Sequence, residues 1–310
     1  MRLQELGVPE PGPGQIRIRN RAAALNFFDL LQIQGRYQVK PALPFTPGHE
    51  VAGTVDALGE GASGLGRGDR VLARLVTGGF ADYSLARAGN TFRIPDSMGF
   101  AEAAGMLIVY QTAHYAFTRR TRLERGEWLL VHGGAGGVGT AAVQLGKALG
   151  ARVIATAGSE EKRAFCVAQG ADHVLDYLAP GWVERVKELT GRGADVIYDP
   201  VGGDVFDLST RCLAPEGRLL VVGFASGRIP QIQLNRVLLK NASIVGVNWG
   251  AHFLEHPESL APVQAELFSM YEAGRIAPVV SRSYAFEEAP AALRDLAQRR
   301  THGKVVLALV

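Results

Sequence analysis

One short run limits what this chain can fold into more than any other. After the apolar segment WLLVHG come Gly134-Ala135-Gly136-Gly137-Val138-Gly139, and then apolar residues at helical spacing. The pattern G-x-G-x-x-G between a strand and a helix gives each glycine a task. Gly134 is expected to permit the tight turn, Gly136 to let backbone approach a pyrophosphate, and Gly139 to let helix and strand pack closely, while the helix N-terminus supplies N–H donors and positive dipole. Gly137 and Val138 complete the loop. Alone, the motif also describes a glycine-rich turn in any α/β protein; the segments C-terminal to it argue for a dinucleotide. From about residue 111 short apolar strands alternate with helical stretches: AAVQLGKALG, RVIATA, EEKRAFCVAQG, HVLDY, WVERVKELTG, DVIYDP, RLLVVG and ASIVGV. Such alternation implies a parallel sheet covered by helices on both faces.

Before residue 110 the texture is different. IRIRNRAAAL, EVAGTVDAL, DRVLARLV and ADYSLA read as strands separated by glycine-rich breaks such as GEGASGLGRGD. The tail predicts helices near Pro262–Ala273 and Pro290–Arg299 and a last strand, KVVLALV. The expectation is an α/β chain of two domains sharing a connecting helix: a Rossmann-type cofactor domain over 111–249, and a β-rich domain over 1–110 and 250–310.

Cofactor choice is read at the end of the second strand of the alternating half. NAD-preferring proteins carry an acidic residue there for the ribose 2′-hydroxyl. RVIATA instead runs into Gly158-Ser159, and the carboxylates Glu160 and Glu161 fall in the first turn of a helix, where acidic side chains suit the dipole. Lys162 and Arg163 follow, either as partners for a 2′-phosphate or as solvated surface charges. A missing carboxylate beside cations favours NADP(H).

Bulk properties narrow the partners. Of 310 residues 47% are hydrophobic and 20% charged, the balance of a chain with a substantial core, and 33 basic against 30 acidic residues leave a net charge of only +3. No polyanion is implied, so nucleic acid is not an expected partner. Two cysteines, Cys166 and Cys212, give neither a disulfide framework nor a four-cysteine metal cage and favour a reducing compartment such as the cytoplasm. No apolar stretch reaches the roughly 18 residues that span a bilayer, so no membrane partner is expected.

Taken together, LNFFDLLQIQGRY, LPFTPGHEVAGTV, GDRV, GGFADYSLA, HGGAGGVGTAAVQLGKALGA, TAGSEEK and YDPVGG resemble the zinc-independent quinone oxidoreductases of the medium-chain dehydrogenase/reductase superfamily, related to zeta-crystallin and to polyketide-synthase enoyl reductase domains. The resemblance covers nearly the whole chain and implies a GroES-like catalytic domain beside the Rossmann domain. It implies that Gly158, Lys162 and Tyr177 surround the 2′-phosphate of NADPH, that Gly223 and Phe224 pass by the nicotinamide, and that Arg299 approaches the cofactor; Ser159, beside Gly158, is a further candidate for cofactor binding. It further implies that Asn26, Asp29 and Tyr37 lie at the nicotinamide end of a cleft, with Thr112 where the domains meet. Relatives begin with an additional strand before LQEL, so either the start is trimmed or the sheet edge is rebuilt. In relatives the region of ASIVGV pairs across a two-fold axis, which implies a homodimer.

Zinc alcohol dehydrogenases of the same superfamily use the histidine of GHE as a ligand, and His49-Glu50 occurs here in PGHE. A catalytic zinc needs three protein ligands. The relatives' cysteine is Asn26 here, and no cysteine precedes Cys166, so no functional metal is expected and His49 reads as a loop-packing residue. Asn26 can donate a hydrogen bond to a carbonyl or to the cofactor, and Tyr37 is a second donor. Asp29 can act in the site or merely at a helix start, Tyr37 can equally be a half-buried loop aromatic, and Trp249 can line a pocket or fill the core. Leu31 stands where some relatives have a tyrosine that lines the substrate site. The expected activity is NADPH-dependent reduction of a small apolar quinone or enone. An enoyl-thioester or alkenal reductase, or a non-catalytic NADPH-binding crystallin-like protein, stays open.

Overall fold

The computed structural model describes residues 2–309 and divides into two compact units: the chain up to Ile108 together with the chain from Phe253 onward, and Val109–His252 between them.

The first unit opens with β1 (Gln15–Leu25). Its Ile16, Ile18, Asn20 and Ala22 are buried while Arg17, Arg19 and Arg21 point the other way, the two-residue period of a strand with one wet face. From Ala22 to Leu25 every residue is buried, so this end is covered on both faces. Helix α1 (Phe27–Ile33) follows at once, and β2 (Glu50–Leu58), β3 (Arg70–Arg74), β4 (Tyr83–Arg87) and β5 (Thr91–Arg93) complete the first pass. Helices α2 (Phe100–Ala104) and α3 (Leu107–His114) lead on, and α3 runs into a π-helical turn over Tyr115–Arg120.

The second unit is the alternating half. In order come β6 (Trp128–Val131), α4 (Gly137–Ala148), β7 (Arg152–Thr156), α5 (Glu160–Ala168), β8 (His173–Leu175), α6 (Trp182–Thr190), β9 (Ala194–Asp199), α7 (Gly203–Cys212), β10 (Leu213–Val221), α8 (Leu234–Leu238) and β11 (Ser243–Gly246). All pairings in this sheet are parallel, in the order β11-β10-β9-β6-β7-β8. The middle strand β9 is buried at all six positions, as a strand covered on both faces must be. The strand read from ASIVGV is β11, at an edge of the sheet.

Within α9 (Trp249–Glu255) the chain returns to the first unit, where α10 (Leu260–Glu272), β12 (Val280–Ala285), α11 (Ala289–Ala297) and β13 (Lys304–Ala308) follow. β13 pairs antiparallel with β1, giving the order β12-β13-β1-β2-β3-β5 with β4 on the free half of β1. The pairing sets Leu25 opposite Val305, which brings Lys304 to the end of β1 where α1 starts. The mixed α/β class expected from the sequence holds.

Candidate active site

Two groups of residues matter, one in each unit. In the second unit the chain leaves β6 through His132 and turns at Gly133, whose φ is +59. The left-handed turn therefore falls on Gly133, one residue before the position assigned to it by the G-x-G-x-x-G register. Gly134 is small for a different reason: a Cβ there would lie 2.8 Å from the Ala155 Cβ and 3.1 Å from Cys166 Sγ, and its N–H donates to the Thr156 carbonyl. At Gly139 a Cβ would lie 2.1 Å from the Gly133 carbonyl oxygen, so the first turn of α4 closes onto the loop only because this residue has no side chain. Gly136 is the N-cap, and Gly137 and Val138 form the first turn, presenting N–H groups at the start of a 12-residue helix.

His132 anchors this loop from below. It is fully buried, and burial pushes the imidazole down to about 3. The Ser209 hydroxyl donates to the Val205 carbonyl (2.6 Å), so His132 Nε2 carries the hydrogen that reaches Ser209 (2.8 Å), and Nδ1 accepts from Thr156 (3.0 Å).

At the tip of β7, Gly158 and Tyr177 are in contact: a Cβ on Gly158 would lie 3.1 Å from the Tyr177 hydroxyl. Ser159 caps α5 by accepting from the Lys162 N–H (3.3 Å). Gly158, Ser159, Lys162 and Tyr177 thus share one corner, whereas Arg163 is turned to Asp176 (2.9 Å). Nearby, the turns after β9 and β10 are zipped together: Val222 N–H donates to the Asp199 carbonyl and Ala225 N–H to Pro200, which sets Gly223 and Phe224 against Pro200–Gly202. Burial pushes the Asp199 carboxyl up to about 6, although the N–H groups of Val201 and Gly202 pull it down. Thr112 is half-buried in α3.

In the first unit the polar residues form one buried network. Asn26 is the N-cap of α1, and its N–H donates to Asp29 Oδ2 (2.7 Å); the other carboxylate oxygen, Oδ1, pairs with His49 Nδ1 at 2.6 Å. One oxygen of Asp29 thus serves the helix start and the other holds His49, so Asp29 fixes both Asn26 and His49. The His49 ring stands edge-on to Phe28 (4.7 Å), and Phe28 stacks on Tyr37 (5.4 Å). Asn26 Nδ2 donates to Glu50 Oε1 (2.9 Å), and Glu50 Oε2 accepts from the Ile108 N–H (2.9 Å). Lys304 Nζ reaches Glu50 Oε1 (2.7 Å), Asn26 Oδ1 (2.8 Å) and the Leu25 carbonyl (3.0 Å).

Lys304 and Arg74 are residues that sequence reasoning missed. Arg74 pairs in register with Glu50 across β2 and β3, and its guanidinium lies 4.1 Å from the centre of the Phe253 ring. Burial pulls Arg74 down to about 10, against the attraction of Tyr37 and Glu50; burial likewise raises Tyr37, with Arg74 opposing. The signal for Lys304 was a lone cation opening an apolar strand; nothing marked Arg74. Arg299 follows α11 in the first unit, exposed and at a φ of +57, while Trp249 at the start of α9 is buried. Among the described residues no cluster of three His, Cys, Asp or Glu side chains suits a metal ion, and no helix is long and apolar enough to cross a membrane.

Residues 12–116 match the alcohol dehydrogenase GroES-like domain, and residues 137–265 match the zinc-binding dehydrogenase domain. A quinone oxidoreductase-like protein 2 homolog of Nematostella vectensis is 38% identical, the match covering 96% of this chain and 82% of that one. The chain belongs to the quinone oxidoreductase-like family of the medium-chain dehydrogenases/reductases. Another member, a quinone oxidoreductase of Pseudomonas aeruginosa, is 36% identical over 96% of this chain and 92% of its own. Among solved structures, Escherichia coli quinone oxidoreductase complexed with NADPH superposes with a TM-score of 0.92 at 30% identity, covering 99% of this chain and 95% of that one. Membership makes this chain an oxidoreductase, with the glycine loop in the domain where the family's fold carries a dinucleotide.

Proposed function

We propose that this chain is an NADPH-dependent reductase of quinones or comparably electron-poor enones, working without zinc. The observation that carries the cofactor assignment is the tip of β7. The position where a carboxylate would receive a ribose 2′-hydroxyl is Gly158, backed by the Tyr177 hydroxyl, with Ser159 and Lys162 at the start of α5. That corner suits a phosphate and would lack the acceptor an unphosphorylated ribose prefers. The Escherichia coli relative, solved as a complex with NADPH, agrees. Bound there, NADPH would lie with its pyrophosphate on the N–H groups of Gly137 to Gly139 and would supply a hydride to the acceptor.

The donor set argues against a catalytic zinc. Asn26 and Glu50 already share the ammonium of Lys304, and His49 is hydrogen-bonded through Nδ1 to Asp29. One imidazole beside a fixed cation does not make the three-ligand site that zinc requires. What remains suits polarisation by hydrogen bonds. Asn26 Nδ2 has a second hydrogen beyond the one given to Glu50, and Tyr37 offers a hydroxyl; both would orient the acceptor carbonyl. Gly223, Phe224 and Thr112, in the same unit as the glycine loop, would complete the cofactor's surroundings there. A homodimer through the exposed edge of β11, in the cytoplasm, goes with this assignment.

The test is loss of reduced-nicotinamide absorbance with NADPH or NADH against 1,4-benzoquinone, 9,10-phenanthrenequinone, a simple alkenal and crotonyl-CoA. Fast NADPH loss with a quinone and slow loss with NADH is the expected result. Turnover with the thioester or alkenal alone would move the substrate class, and tight NADPH binding without turnover would overturn the enzymatic assignment.

A further inference from the structure

Lys304 opens a strand otherwise made of Val, Leu and Ala, yet its side chain is only 5% exposed. A buried ammonium persists only where its charge and its three donors are met. Here Glu50, Asn26 and the Leu25 carbonyl take all three. Balancing the charge needs Glu50 alone; the bond to Asn26 does something more. An asparagine amide can turn over and exchange its acceptor for its donor at almost no cost in volume. In this chain only one orientation is satisfied. The reverse would set an NH₂ group against the ammonium and a carbonyl against the Glu50 carboxylate.

With the orientation fixed, one Nδ2 hydrogen goes to Glu50 and the other points elsewhere. An ammonium on Oδ1 also draws electron density through the amide and strengthens the remaining N–H as a donor, as in any hydrogen-bonded chain of low surrounding dielectric. We infer that Lys304 is a positioning residue for the reduction. It holds and polarises Asn26 so that the second Nδ2 hydrogen meets the acceptor's carbonyl oxygen as negative charge builds there. This rests on the reductase assignment, in which Asn26 faces the acceptor. Lys304 itself stays behind the amide and touches no substrate.

The experiment is a double-mutant cycle on the full chain with NADPH and 1,4-benzoquinone, using Lys304→Met, Asn26→Ala and their combination. Lys304→Met is expected to lower kcat about tenfold or more, the scale of a weakened oxyanion donor, while NADPH Kd, read from dinucleotide fluorescence, stays within about twofold. In the Asn26→Ala background the same change should cost less than about threefold, because the group it positions is already gone. Equal losses in both backgrounds would overturn the inference. If Lys304→Met does not fold, Lys304→Gln keeps a donor to Oδ1 without charge: an intermediate kcat is expected, and full activity would refute polarisation. A wild-type chain that turns over while the cycle is additive sinks the positioning role alone; a wild-type chain silent with every acceptor sinks the reductase assignment with it.

Discussion

The two polar centres of this molecule are built in opposite ways. The corner proposed for the phosphate in the second unit is local: Gly133 to Gly139 forms one turn, and Gly158, Ser159 and Lys162 lie within five residues, so each residue's place follows from its neighbours. The network of the first unit is dispersed. Asn26 meets Glu50 from 24 residues away and Lys304 from 278. A local site is specified by backbone conformation and the absence of side chains, a dispersed one by charge balance in a dry interior. Damage to each should look different.

The largest effect belongs to the dispersed centre. Glu50→Gln keeps hydrogen-bonding atoms but strands the Lys304 ammonium without its countercharge, and breaking a buried pair in this way costs about 3 to 5 kcal/mol. Urea unfolding of the variant should register that loss while whatever folded protein remains binds NADPH normally. A loss below about 1 kcal/mol would mean the network is wetter than its burial implies. Next comes the local centre. Gly139→Ala drives a methyl group to within 2.1 Å of the Gly133 carbonyl, and because the obstacle is backbone the cost should reach the upper end of overpacking, about 3 kcal/mol. Here the signature is reversed, with NADPH affinity falling further than the urea midpoint. Variants whose signatures crossed over would break the distinction.

A smaller change sharpens it. Lys162→Ala should weaken NADPH about tenfold, or about 1.4 kcal/mol, with NADH changed less than about twofold, as read from KM for each cofactor. Equal losses for both would remove Lys162 from the phosphate corner.

The same contrast explains what could be read from the sequence. β1 announced itself through Ile16 and Ile18 alternating with Arg17 and Arg19, and the parallel sheet through six apolar segments set between helices. The glycine loop was legible as a motif, although the left-handed residue is Gly133, because the register names which glycines recur and not which one carries positive φ. Arg74 was not legible, and Lys304 showed only as a lone cation opening an apolar strand, with nothing to name its partners. Their partners become neighbours only when β13 closes on β1 and β3 on β2, and strand pairing over such separations leaves no trace in local composition. His49 shows the middle case: the sequence reads it as a loop-packing residue and not a metal ligand, and only the geometry gives its Nδ1 to Asp29.

The smallest effect tests whether even the local centre leans on distant partners, and two buried groups set its sign. His132 is held neutral beneath the loop, pushed by burial from 6.5 to about 3, and its partners Thr156 and Ser209 lie 24 and 77 residues away. Above pH 6.5 neither folded nor unfolded chain protonates it, and its contribution is complete; as pH falls below that, only the unfolded chain takes the proton, and stability drops by about 1.4 kcal/mol per pH unit, roughly 2 by pH 5. Asp199 works in the other direction. Raised from 3.8 to about 6, it binds a proton in the folded chain first, and adds about 1.4 kcal/mol between pH 7 and pH 5. The wild-type chain should therefore lose less than about 1 kcal/mol over this range, a small difference of two opposed terms. Urea midpoints at pH 7 and pH 5 separate them: Asp199→Asn should steepen the acid loss, and His132→Gln should turn it into a gain. If His132→Gln lost stability as the wild type does, the imidazole would already be charged in the folded chain, and the loop would rest on something other than a dry, neutral support.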